Sequence, residues 1–243
     1  MSIRLRDTGE VIHIRWIPKY TLLERLGHWV HASTYIPLAL TGCLLFIPGV
    51  KGMTQGTIGE TLRIVHRALA IVFLVLPVLY LLFQPRRLLM NVREVFQFSA
   101  DDIGWLKAVL PYYLFGRHIG MPPQPRFNTG ERLNAAVIIV GTVLFAVTGF
   151  VMWFGKGVLP TWTFQAAVML HDLTMVATMC MFIFHFYLAV AHPMMWQAMV
   201  SMRFGVVSES YAREHHASWF YGQERARKAW EARLESEQKG EHA

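Results

Sequence analysis

Cysteine is almost absent from this sequence: of 243 residues only Cys43 and Cys180 carry a thiol, and both lie inside long apolar runs. That excludes a disulfide framework and a cysteine-held zinc or iron–sulfur centre, each of which needs several thiols at short spacing. Charge is scarce as well. Asp, Glu, Lys and Arg make up 16% of the chain against 54% hydrophobic residues, and the mean hydropathy is +0.34, a balance unlike that of an ordinary soluble domain. The net charge of +7 is not gathered into a basic stripe with interleaved aromatics, so it gives no case for nucleic acid. Any metal chemistry must come from the 11 histidines.

What is present is long hydrophobic runs. They fall at about 26–47, 62–83, 133–154 and 164–191, and each is long enough to cross roughly 30 Å of hydrocarbon, which takes about 20 helical residues. Buried helices of a soluble protein are the alternative, but four such lengths leave too little polar sequence to cover them. About 25 residues precede the first run, among them Asp7, Glu10, Arg15, Lys19 and Glu24. A cleaved signal peptide does not fit that pattern, and the N-terminus is expected to be retained.

Four spans place both termini and the 2–3 connection on one side, here side A, and the 1–2 and 3–4 connections on side B. Side A holds Arg4, Arg6, Arg15, Lys19, Arg25, Arg86, Arg87, Arg93, Lys107, Arg117, Arg126 and Arg132, with seven more from Arg203 to Lys239; side B holds Lys51, Arg63, Arg67 and Lys156. The positive-inside rule puts side A in the cytoplasm. The expected fold is therefore an all-α membrane protein, a four-transmembrane-helix bundle with both termini cytoplasmic. Its parts are a cytoplasmic N-terminal segment 1–25, a bundle 26–192 with a surface loop at about 84–127, and an interfacial and cytoplasmic tail 193–243. In the loop, residues 91–98 read as amphipathic before Pro122, Pro123 and Pro125 break any helix. In the tail, 194–204 reads as interfacial and 224–237 as a charged helix. Beyond the recurrence of spans, no internal repeat is read.

Histidine inside a span is expensive and points to function. His28, His31, His66, His171, His185 and His192 lie in or at the ends of spans, whereas His13, His118, His215, His216 and His242 sit in polar segments and read as surface residues. His171 and His185 are 14 residues apart, about 21 Å of rise and about 40° from whole turns, so they share one helix face at two depths. Chain direction places the others. His66 opens the second span on side B, at the depth of His171; His28 opens the first on side A, at the depth of His185, with His31 one turn on as an alternative. Two facing imidazoles are what six-coordinate haem iron requires, so the pairs His66–His171 and His28–His185 predict two b-type haems. The competing reading is core histidines bonded to neighbouring helices in a haem-free anchor or transporter. His192, beside Pro193, reads as an interface residue. Met169, Met175, Met179 and Met181 read as flexible core filler, with thioether ligation as the alternative. Arg63 or Arg67 on side B and Arg25 or Arg132 on side A could pair with haem propionates or serve only as anchors. Gly42, Gly141 and Gly149 would let backbones approach a macrocycle or one another.

From 25 to 221 these residues resemble the cytochrome b (gamma) subunit of membrane-bound formate dehydrogenase, within the wider group of hydrogenase-type cytochromes b. Glu24-Arg25-Leu26-Gly27-His28-Trp29 resembles the haem-ligand motif that opens the first helix, which favours His28 over His31. Ile64-Val65-His66-Arg67 is similar to the ligand motif of the second helix, and His171 and His185 reproduce the ligand spacing of the fourth. Ala212-Arg213-Glu214-His215-His216-Ala217-Ser218-Trp219-Phe220 looks like the family's post-membrane segment. Arg126-Phe127-Asn128-Thr129-Gly130-Glu131 resembles the quinone-site motif and implies that Asn128, Gly130 and His185 contact the quinone, although Asn128 could equally be a helix N-cap. Glu131 stands where an uncharged amide is expected, and proton delivery and ligand contact are both open for it. The resemblance implies electron transfer from an iron–sulfur beta subunit, fed by a catalytic alpha subunit that oxidises formate, to ubiquinone or menaquinone in a bacterial inner membrane. The chain itself would not oxidise formate. Within the wider group, hydrogenase or thiosulfate reductase is the alternative partner.

Overall fold

The computed structural model describes residues 2–4, 11–115 and 120–240. Arg6, Asp7, Glu10, Arg117, His118 and His242, read above for charge or as surface histidines, lie outside the described residues, and Arg4, His13, Lys51 and Lys239 are described by their backbone alone. Strands β1 (Ser2–Arg4) and β2 (Val11–His13) pair antiparallel, as do β3 (Trp16–Pro18) and β4 (Val206–Ser208). The long helices are α1 (Leu22–Phe46), α2 (Gly56–Phe83), α5 (Thr129–Phe154) and α6 (Thr161–Phe186), the last extended by a π turn at Tyr187–Ala191. Between them stand α3 (Pro85–Val95) and α4 (Ala100–Phe115); α7 (Trp196–Phe204), α8 (Glu209–His215), α9 (Ala217–Tyr221) and α10 (Gln223–Gly240) complete the chain.

The chain divides into two compact units. One comprises Leu22–Asn91 and Asn134–Ala191, the other Met1–Thr21, Val92–Leu133 and His192–Ala243. The first holds nearly all of the four helices that, among the described residues, are long and apolar enough to cross a membrane. Its polarity is inverted relative to a soluble bundle. Leu40, Leu82, Val143 and Phe184 are 61%, 68%, 59% and 64% exposed, while Thr34, Thr41, Thr148, Thr174 and Thr178 are buried. Each of those threonines returns its hydroxyl to a carbonyl of the preceding turn, as Thr41 does to Pro37 at 2.8 Å and Thr174 to Leu170 at 2.7 Å, which meets the rule that polar groups in lipid be satisfied internally. A small apolar core of Tyr35, Ala39 and Phe73 packs with Met179 and Phe182.

The second unit has a different chemistry. Met195, Val207, Tyr211 and Ala212 form its core, with Ile17, Tyr113, Trp219 and Phe220 packed against it. Several sequence expectations change here. The amphipathic stretch read at 91–98 overlaps the end of α3 (Pro85–Val95), which opens on a proline because proline suits a first helical turn whose N–H groups have no helical partner. His192, expected at the interface, is 7% exposed. Its Nε2 lies 3.2 Å from the Tyr113 carbonyl, and its Nδ1 accepts from the Met194 N–H to cap a short 3-10 turn. His215 and His216, expected at the surface, are 8% and 0% exposed.

Candidate functional site

His66 rises from α2 and His171 from α6, and their ring centroids are 6.4 Å apart with planes at 60°. Each ring is gripped through its other nitrogen by a threonine from a further helix. Thr41 Oγ1 on α1 lies 2.8 Å from His66 Nδ1, and Thr148 Oγ1 on α5 lies 2.8 Å from His171 Nδ1. A glycine follows each threonine. A Cβ at Gly42 would stand 3.2 Å from Met175 Sδ and 3.7 Å from His66 Cε1, and one at Gly149 3.9 Å from His171 Cε1, so each glycine lies beside its ring. Gly141 acts elsewhere. Its missing Cβ would fall 2.7 Å from Thr178 Cγ2, so it permits close approach of α5 and α6.

One level away along α6, about 21 Å of helical rise, His185 faces His28 with centroids 6.1 Å apart and planes at 66°. His31 turns aside and lies tilted against Phe73 with centroids 4.3 Å apart; its Nε2 has no hydrogen-bond partner among the described residues. The structure thus sets His28, not His31, opposite His185. The methionines of α6 are scattered: Met169 is 61% exposed, Met175 Sδ lies beside Gly42, and Met179 packs with the Tyr35 cluster.

These separations fit a porphyrin iron held from both sides. A five-membered ring with bonds of about 1.35 Å has its atoms about 1.15 Å from its centre, and metal–imidazole bonds run near 2.0 Å. Two rings pointing at one metal should therefore have centroids about 6.3 Å apart, between the two observed values. No group of three or more His, Cys, Asp or Glu side chains suited to a metal ion occurs among the described residues. The donor set at each level is two imidazoles, too few for a closed four-ligand zinc site and equal to the axial set of a bis-histidine haem.

Of the arginines considered for propionates, Arg67 lies over the Trp153 ring at 5.3 Å. Arg132 is buried and committed to the Asp102 carboxylate and the Gln97 carbonyl. Arg25 belongs to the first turn of α1, where neighbouring Glu24 accepts from Arg87 and Asn91 of α3, each at 3.2 Å.

The segment opening α5 forms a separate polar cluster. Asn128 and Glu131 make a reciprocal capping box: the Glu131 N–H donates to Asn128 Oδ1 at 2.9 Å, and the Asn128 N–H donates to Glu131 Oε2 at 2.8 Å. Glu131 Oε1 receives the Lys19 ammonium at 3.1 Å, and Lys19 also donates to His216 Nε2 at 2.9 Å. His216 Nδ1–H donates to the Pro125 carbonyl at 2.8 Å. Burial holds the Lys19 ammonium below its usual pKa range. Burial first, and the Lys19 charge second, push His216 down to about 3. Gly130 is needed for packing, since a Cβ there would meet Trp105 at 2.9 Å. Asn128 and Gly130 thus both have structural roles, and Glu131 is tied to a cation.

Sequence reasoning missed Thr41, Thr148, Lys19 and His216. A signal for the threonines is present: Ala39-Leu40-Thr41-Gly42 on α1 and Ala146-Val147-Thr148-Gly149 on α5 repeat one pattern, an internal recurrence that the search for longer repeats passes over. Lys19 and His216 lie 197 positions apart, and no local pattern joins them.

A bundle of four apolar helices carrying facing histidines is the architecture of a membrane cytochrome b. Residues 19–205 match the family described as prokaryotic cytochrome b561, and the chain belongs to that family; membership implies haem b and a multi-pass membrane protein. The chain is 26% identical over 208 residues to the formate dehydrogenase cytochrome b556(fdo) subunit of Escherichia coli K12, covering 84% of this chain and 92% of that protein. It is 24% identical over 230 residues to the nitrate-inducible formate dehydrogenase cytochrome b556(Fdn) subunit of the same organism, covering 92% and 97%. A formate dehydrogenase cytochrome b556 subunit of Haemophilus influenzae is 24% identical over 200 residues, covering 81% and 79%.

Proposed function

We propose that this chain is the dihaem cytochrome b subunit of a membrane-bound formate dehydrogenase, carrying electrons from a partner iron–sulfur subunit across the bacterial inner membrane to quinone. The observation that carries the reading is the pair of imidazole separations, 6.4 and 6.1 Å, at two levels of one helical bundle. His66 and His171 hold the periplasmic-side iron, and His28 and His185 the cytoplasmic-side iron. Haem b bound in this way supplies a centre that accepts and releases single electrons. The chain's own residues fix the two stations, keep water from them with an apolar exterior, and offer Arg63 and Arg67 to propionates near the first. Asn128 and Gly130 are the residues offered to the quinone, ubiquinone or menaquinone, on the cytoplasmic side. The Lys and Arg distribution supports cytoplasmic termini. Formate is oxidised on a separate catalytic subunit, as the names of the relatives suggest. Inward electron movement with cytoplasmic proton uptake would separate charge, each elementary charge being worth about 2.3 kcal/mol per 100 mV.

The test is haem stoichiometry of the complex isolated in mild detergent, combined with reduction by formate, hydrogen or thiosulfate. Two haems per chain are expected, with reduction by formate. His66→Ala or His171→Ala should each leave one haem and block reduction of the other. Two haems surviving either substitution would overturn the pairing, and reduction by hydrogen or thiosulfate but not by formate would overturn the choice of partner.

A further inference from the structure

The two threonines that grip His66 and His171 come from different helices, yet they do so in the same way. Thr41 Oγ1 lies 2.8 Å from the Pro37 carbonyl and 2.8 Å from His66 Nδ1. Thr148 Oγ1 lies 2.6 Å from the Leu144 carbonyl and 2.8 Å from His171 Nδ1. A carbonyl oxygen has no proton, so at these distances the single hydroxyl proton must lie between the two oxygens. The threonine oxygen is then left as an acceptor, and the second contact requires the proton to sit on Nδ1 of the imidazole. In a neutral ring that leaves the lone pair on Nε2. The hydroxyl of each threonine therefore selects one tautomer of its histidine.

We infer that Thr41 and Thr148 are positioning residues of the His66–His171 haem centre, each fixing its histidine so that Nε2 faces the iron and strengthening that nitrogen as a donor. This rests on the reading that His66 and His171 hold a haem. An acceptor on the far nitrogen orients a metal-bound imidazole and raises its basicity. A more basic ligand favours ferric over ferrous iron, so the two threonines lower the potential of this centre. The glycine after each threonine lies against the Cε1 edge of the same ring. Ligands come from α2 and α6 and holders from α1 and α5, so all four spans contribute to one level.

The test uses Thr41→Val and Thr148→Val, which keep the branched shape and remove the acceptor, with Thr41→Ser and Thr148→Ser, which keep the hydroxyl. Each is measured in the full complex by haem count and by redox titration of the haem absorption. Each valine variant is expected to retain two haems and to raise the midpoint of one component only. At the native midpoint its ferrous-to-ferric ratio should rise by up to about five-fold, the weight of one hydrogen bond, and serine should restore the native value. Loss of one haem in the valine variant with retention in the serine variant would also support the inference. Two haems with both midpoints unmoved in the valine variants would overturn it, as would equal haem loss in valine and serine variants, which marks a packing effect alone. A wild-type complex with fewer than two haems, or a His66→Ala variant that keeps both, would overturn the haem reading itself and is read from the count before any midpoint.

Discussion

Lowering the pH should loosen the segment that holds the start of α5, and His216 is the reason. The ring is fully buried, donates from Nδ1 to Pro125 and accepts from Lys19 at Nε2. Both contacts are made by the neutral imidazole, and burial beside a cation pushes its pKa down to about 3. In the opened chain the same group titrates near 6.5. Between those values the opened state binds more protons than the closed one, so stability falls as pH falls. The loss is about 1.4 kcal/mol per pH unit below 6.5, or about 2 kcal/mol at pH 5, which corresponds to about 30-fold in the closed-to-open ratio. Amide hydrogen exchange reads this locally. The Ser218 N–H donates to the Gln124 carbonyl at 3.0 Å and the Phe220 N–H to the His216 carbonyl at 2.9 Å. After correction for intrinsic exchange, their protection should fall about 30-fold between pH 7 and pH 5. In His216→Gln, whose amide can both donate to Pro125 and accept from Lys19 but does not titrate, protection should be level across that range. Equal protection of the wild type at both pH values, or the same fall in His216→Gln, would refute the reasoning.

The ion pair below this histidine should respond asymmetrically to its two deletions. The Lys19 side chain is 2% exposed and that of Glu131 31%, so Glu131→Gln strands a buried ammonium and should cost about 3 kcal/mol, whereas Lys19→Met leaves a carboxylate that water can reach and one buried acceptor, His216 Nε2, and should cost less, about 1–2 kcal/mol. Because burial lowers the pKa of Lys19, its proton leaves the folded state first as pH rises, so the Glu131→Gln deficit should shrink in alkali; thermal midpoints at pH 7 and pH 9 would check both statements. Asn128→Ala should cost about 1 kcal/mol by removing the helix cap, while Asn128→Ser should keep it. If Asn128 also meets quinone, both variants slow quinone turnover with haem content unchanged; native kinetics in Asn128→Ser would restrict Asn128 to capping.

The membrane helices were legible because lipid imposes a length and helix geometry imposes a period, and both are written locally. The facing of His28 with His185 and of His66 with His171 follows from span parity and the 14-residue interval on α6, which needs no tertiary knowledge. Helix ends were less legible. α2 begins at Gly56, six residues before its apolar run, because Thr57, Glu60 and Thr61 are polar without being helix breakers. His215 and His216 misled for a different reason: adjacent histidines among Arg213, Glu214 and Ser218 look solvated, but Tyr112 of α4 lies against His215, and Lys19 and the Pro125 carbonyl meet His216. The threonines were hidden by their ordinariness, since a threonine in a membrane helix usually satisfies its own backbone and nothing more.

That ordinary behaviour is what makes the histidine pairs informative. In hydrocarbon every polar atom needs a partner within the protein, and Thr41 and Thr148 meet one nitrogen of each ring at the His66–His171 level. The other nitrogen of each ring carries a lone pair and no proton. With ring centres 6.4 Å apart, those nitrogens come no nearer than about 4 Å, beyond the range of a direct hydrogen bond. Two such lone pairs on one level of a membrane bundle gain nothing from each other. An electron-pair acceptor about 2 Å from each would turn the same geometry into two bonds, and the iron of the proposed haem would satisfy both nitrogens.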